Sequence, residues 1–101
     1  MINDIQQGLA KIFEAQITGL SEAVEQDQIE FRLYDLDKKK AYIEKYGTPD
    51  EVRTDTVIFV INDEETEQIP SGSYRWELLF HDESNTFPIC KDRVKVTERV
   101  L

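Results

Sequence analysis

Cysteine is nearly absent from this chain: Cys90 stands alone among 101 residues. A single thiol excludes an intrachain disulfide and offers no metal-ligand spacing, so the fold must be held by its apolar core. Flanked by Ile89 and Lys91, Cys90 is expected to serve as a small core-facing residue. Histidine is equally scarce. His81, beside Asp82 and Glu83, has no second histidine to converge with and is expected at the surface end of a strand. The four glycines, Gly8, Gly19, Gly47 and Gly72, lie too far apart to cradle a phosphate, and no nucleophile elbow or Ser–His–Asp order occurs. No apolar run approaches the roughly 20 residues of a membrane span. Nor does the start show a basic region followed by an apolar stretch, so the chain is expected to be made in a cytoplasm without an export address. No catalytic residue, cofactor or metal site can be named, and an enzyme is not expected.

Basic residues are also in deficit. Twelve stand against twenty-one acidic ones, giving a net charge of −9 and a pI near 4.5. The resulting field repels phosphate backbones and anionic headgroups, which argues against nucleic acid and membrane as partners. The one dense basic cluster, residues 38–40, follows Asp35 and Asp37 and suits a solvated turn. A calcium loop counted from Asp35 fails, because Lys40 stands where glycine is required and Tyr46 where glutamate is required. With 40% hydrophobic and 33% charged residues, the chain is apolar enough to fold as a single domain.

What the sequence does have is alternation. Residues 69–80, IPSGSYRWELLF, leave a Pro–Ser–Gly turn and place Tyr74, Trp76, Leu78 and Phe80 on one face, with Ser73, Arg75, Glu77 and Leu79 on the other. A period of two with rings on one side predicts a strand over a core. The same period sets Ile29, Phe31 and Leu33 against Glu30, Arg32 and Tyr34; after a turn closed by Asp35 and Asp37, residues 41–46 return as the partner strand. Residues 10–18 fit a helical stripe or a strand through Phe13, Ala15 and Ile17, and Gly8 and Gly19 at the two ends favour the strand. Residues 56–61, TVIFVI, are continuously apolar and predict a central strand covered on both faces or meeting a neighbour. Phe87 to Cys90 is expected as a short strand, Lys91 and Asp92 as a turn, and 93–98 as a closing strand with Val94 and Val96 inward.

Between the strands, Asn62 followed three residues later by Glu65 predicts a capping box and one helical turn over 63–67, stopped by Pro70. The carboxylates of that turn diverge, so no cation site is expected there. Residues 21–28 form a polar loop, 47–55 an exposed and mobile connection, and 1–7 a mobile arm. About seven short strands without crossover helices predict an all-β antiparallel sandwich, with parallel pairing unlikely. The expected core is Phe31, Phe59, Tyr74, Trp76, Leu78 and Phe80, with Phe87 also on an inward phase. Tyr34, Tyr42 and Tyr46 form the one outward ring cluster, a contact surface for a glycan or a protein.

Across 56–96 the order is an apolar strand (TVIFVI), an acidic turn (DEETEQI), a Pro–Gly turn, the aromatic strand SYRWELLF, a polar hairpin and a valine-rich closing strand. This order resembles the immunoglobulin-like β-sandwich domains of tailed-phage and prophage structural proteins, including the N-terminal domains of baseplate upper proteins. In such domains the strand after the Pro–Gly turn carries core-facing rings, which Tyr74 and Trp76 match. The resemblance implies a non-enzymatic structural or adaptor protein of a tail or baseplate, located in the virion, that binds other tail proteins or itself. Residues 13–18, residues 41–46 and the 1–7 arm are the candidate contact edges. The alternative is a bacterial binding module for carbohydrate or a surface protein.

Overall fold

The alternating stretches become strands and stack in two layers. The computed structural model describes residues 4–19, 22–37 and 39–98, so Lys38 of the basic turn and Ser21 of the polar loop lie outside the described residues. In chain order the elements are β1 (Asp4–Gln6), β2 (Lys11–Gln16), β3 (Ile29–Asp35), β4 (Ala41–Tyr46), β5 (Thr48–Pro49), β6 (Thr56–Ile61), α1 (Asp63–Glu67), β7 (Gly72–Asp82) and β8 (Asn85–Thr97). One sheet has the order β1-β8-β7-β3-β4 and the other β2-β6-β5. The fold is an immunoglobulin-like β-sandwich, nearly all β.

The inward rows of the two sheets meet in an aromatic cluster. Phe31 and Phe59 are wholly buried, and Phe13 packs edge-on against Phe31 at 5.0 Å between ring centroids and stacks on Phe59 at 5.1 Å. Trp76 and Tyr74 are buried on β7, Leu78 is fully enclosed, and Phe80 packs at the margin half-buried. The helical turn forms as its residues dictate: Asn62 accepts from the Glu65 amide and Glu65 accepts from the Asn62 amide, completing the capping box. Thr66, fully buried, ties this turn to the Leu9 carbonyl.

Several expectations are corrected. Asp4–Gln6, expected in a mobile arm, is a strand, because Ile5 is entirely buried and docks with the core; residues 1–3 lie outside the described residues. It pairs parallel to β8, which the near-terminal position of both strands allows without a local crossover. Residues 85–97 form one strand with no turn at Lys91 and Asp92. The inward phase shifts from Phe87 to Val94 because an extra residue, Ile89, bulges between the pairs Leu79–Pro88 and Leu78–Cys90. Phe87 and Cys90 are consequently exposed, since the three-stranded sheet does not cover that half of β8. Finally, β6 is central in its sheet but open on its outer side: Val60 is 46% exposed beside its cross-strand partner Ile12 at 67%.

The 47–55 connection is tied down, contrary to the expected mobile loop. Thr54 and Asp55 carbonyls accept from Val24 and Ile17 amides, and Arg53 grips both carboxylate oxygens of Glu14, at 2.9 and 2.7 Å, as well as Asp50 at 2.9 Å. Backbone amides of Arg53 and Val52, together with the Arg53 guanidinium, hold the Asp50 carboxyl down to about 2. Gly47 starts this segment against the core. A methyl group there would lie 2.9 Å from Phe59 Cζ and 3.0 Å from Val57 Cβ. Gly47→Ala should therefore destabilise the protein by about 1–3 kcal/mol through overpacking, read as a lowered urea midpoint.

Candidate interaction surfaces

The side of the five-stranded sheet that faces away from the sandwich is lined by the residues between the inward ones. Register places Glu30 across from Leu79, Arg32 from Glu77 and Tyr34 from Arg75; across β8, Arg75 faces Arg93, Glu77 faces Lys91 and Ser73 faces Lys95. At the β4 end this side is a closed polar network. The Glu30 carboxylate, 4% exposed, accepts from Arg32 Nη2 at 2.9 Å and lies 2.8 Å from His81 Nε2. Burial alone would raise the Glu30 carboxyl, but the hydrogen bonds from Arg32 and His81 outweigh it and hold the group below its usual range. Tyr34 accepts from Arg32 at 3.3 Å and hydrogen-bonds Glu77, while its burial raises the phenol. His81 also meets Thr86 at 3.2 Å and the Tyr46 ring at 5.5 Å between centroids.

The expected tyrosine cluster is divided. Tyr34 is half-buried in this network and Tyr46 sits at its rim, 44% exposed. Tyr42, displaced by the irregularity where β3 and β4 shift register, packs on the core and stands edge-on to Tyr74 at 5.3 Å. The three rings therefore offer no common platform. The part played by His81 was hidden in the sequence, because its partner Glu30 lies 51 residues away and only strand register joins them.

Both stretches expected as edges are edges. β2 borders the three-stranded sheet and β4 the five-stranded one. Ile12 on β2 and its cross-strand partner Val60 on β6 form an exposed apolar pair, a patch of the kind that marks contact with another protein when it extends beyond isolated residues. Among the described residues, no group of three or more His, Cys, Asp or Glu side chains could hold a metal ion. None of the helices among them is long and apolar enough to cross a membrane.

No family model matches the chain, and no curated protein is detectably similar to it. Solved structures do resemble it in fold. CopC from Methylosinus trichosporium OB3b superposes with a TM-score of 0.60 at 11% identity, over 99% of this chain and 89% of that one. The N-terminal domain of phage TP901-1 ORF48 superposes with a TM-score of 0.53 at 13% identity, over 96% of this chain and 85% of that one. At such identities the likeness establishes the β-sandwich fold alone, and one of these two neighbours is a phage protein.

Proposed function

We propose that this chain is a non-enzymatic structural or adaptor protein of a phage or prophage tail or baseplate, acting in the virion by protein–protein assembly. The observation that carries this reading is the fold likeness to the phage TP901-1 ORF48 N-terminal domain along 96% of the chain. The feature order of residues 56–96 points the same way. Two features suit assembly: the β2 edge beside the exposed Ile12–Val60 pair, and the β4 edge, neither of which has a second neighbouring strand among the described residues. The carbohydrate-binding alternative needs a shared ring surface, and Tyr42 packs on the core while Tyr34 is half-buried in the polar network at whose rim Tyr46 sits.

The test is location. Purified particles of the encoding phage, or of the induced prophage, should contain the chain at fixed stoichiometry by quantitative mass spectrometry, with antibody label on the tail in electron micrographs. Ile12→Asp should leave the melting temperature nearly unchanged, because Ile12 is already 67% exposed, yet weaken incorporation about tenfold or more. Particles that lack the chain would overturn the reading.

A further inference from the structure

The outer face of the five-stranded sheet carries an ordered row of charge. Lys91 on β8, Glu77 on β7, Arg32 on β3 and Glu44 on β4 stand opposite one another in turn and alternate in sign, the arrangement in which neighbouring strands attract. The row stops at Glu44. Among the described residues, that exposed side chain takes part in no ion pair and has no further strand beside it. Two residues on, Tyr46 is 44% exposed on the same face.

The backbone at this margin is open as well. Gly47 donates to the Ile29 carbonyl at 2.8 Å, which fixes the phase of the β3–β4 ladder: residues 43, 45 and 47 bond β3, so the N–H and C=O groups of Glu44 and Tyr46 turn away from it. No backbone group of another described element meets them. The rest of this chain lies too far off to do so. Asp4 on β1 and Glu98 just past β8 lie three or four strand spacings away, about 14–19 Å, on the other side of the sheet. Three further residues at either end reach about 10 Å. Residues 20–21 are bounded by Ile17 and Val24, whose amides are held by Asp55 and Thr54 below the other sheet, and Lys38 falls in the turn before β4.

We infer that the β4 edge binds an extended basic segment of a partner protein, which adds a sixth strand to the sheet and sets a Lys or Arg opposite Glu44. The added cation continues the alternation of the row, and the partner residue two positions away packs an apolar side chain on the Tyr46 ring. Run antiparallel, the segment reads apolar, any residue, basic. The net charge of −9 draws such a segment in. A second copy is a poor occupant. Of the two antiparallel self-pairings centred on this stretch, one sets Glu44 opposite Glu44 of the other copy and the other sets Lys45 opposite Lys45, and like charges directly opposite weaken a sheet. This inference rests on the assembly reading and adds the edge used and the chemistry of the partner.

A labelled peptide containing Thr-Val-Thr-Lys-Thr, followed by fluorescence anisotropy against the whole chain, tests it. Binding should weaken about tenfold or more in Glu44→Lys, and the variant should instead prefer the peptide with Glu in place of its Lys. Glu98→Lys makes the same change in net charge on the far side of the sheet and should weaken binding far less. Binding should also fall as salt shortens the Debye length from about 10 Å to about 3 Å. A peptide N-methylated on the amides that face β4 should lose binding, because only strand addition uses those groups. Equal binding of the N-methylated peptide overturns strand addition. Equal effects of Glu44→Lys and Glu98→Lys, or no binding at about 1 mM peptide, overturn the site. A dimer in sedimentation that Glu44→Gln strengthens would give the edge to a second copy and overturn the basic partner. If the inference fails and the chain is nonetheless found in tails, the assembly reading stands; if the peptide binds as expected and particles lack the chain, the assembly reading alone falls.

Discussion

Phe31→Ala should destabilise the domain by about 3–5 kcal/mol, comparable to the whole stability of many domains near this size. Phe31 is wholly buried and touches rings from both layers: Phe13 at 5.0 Å, Phe59 at 6.0 Å and Trp76 at 6.1 Å between centroids. Removing it strips several ring edges of their neighbour at once, and the stiff β-sheet backbone on either side limits collapse into the space. Trp76→Ala belongs to the same class but is a less clean test. The indole N–H is buried without a hydrogen-bond partner, so truncation also relieves an unsatisfied donor and offsets part of the loss. Urea unfolding checks both statements, followed by Trp76 emission for the parent and Phe31→Ala and by far-UV circular dichroism for Trp76→Ala, which lacks the chain's one tryptophan. The native spectrum should be blue-shifted, as expected for a ring only 4% exposed, and Phe31→Ala should move the midpoint sharply downward. Emission near that of free indole in the native protein would refute the packing.

The strands that build this cluster were legible because each is a local pattern. Phe31 and Leu33, or Trp76 and Leu78, alternate with polar residues whatever the rest of the chain does, and the Asn62–Glu65 capping box is likewise a matter of spacing. What could not be read locally was which face has a second layer. Phe87 and Val60 have the composition of core residues, yet the three-stranded sheet ends before the former and nothing among the described residues lies over the latter. The turn expected at Lys91 and Asp92 is absent for a similar reason, the period of two being broken instead by the bulge at Ile89. An inserted residue and a chain reversal both break a period of two, and only the long partner strand β7 separates them. The like-charge pair on the outer face was less legible still, because Arg75 and Arg93 become neighbours only through the register of β7 and β8.

Glu30→Ala should cost about 2 kcal/mol near neutral pH, the value of hydrogen bonds to a charged group, and most of that cost should vanish in acid. Glu30 sits in the outward row of β3, where a carboxylate 4% exposed would be costly if unpaired; Arg32 on its own strand and His81 across the β3–β7 register both point at it. Their side chains remain 31% and 22% exposed, so water can take over part of their solvation once the carboxylate is gone, which keeps the loss below that of a fully enclosed pair. The sign of the pH dependence follows from the lowered Glu30 carboxyl. Its ionised form is favoured by folding, so the contribution is complete above the ordinary value of 4.5 and is lost as pH falls through the lower folded value. The difference in stability between the parent protein and Glu30→Ala, measured by urea denaturation, should therefore be flat down to about pH 5 and shrink below it. Asp50, Glu14 and Asp55 are held low as well, so the acid limb of the parent should persist in the variant with a reduced slope. A double-mutant cycle with Arg32→Met isolates the pair. Coupling near zero between positions 30 and 32, or a stability difference that does not change between about pH 7 and about pH 3, would show that the network is held by the sheet and contributes nothing to holding it.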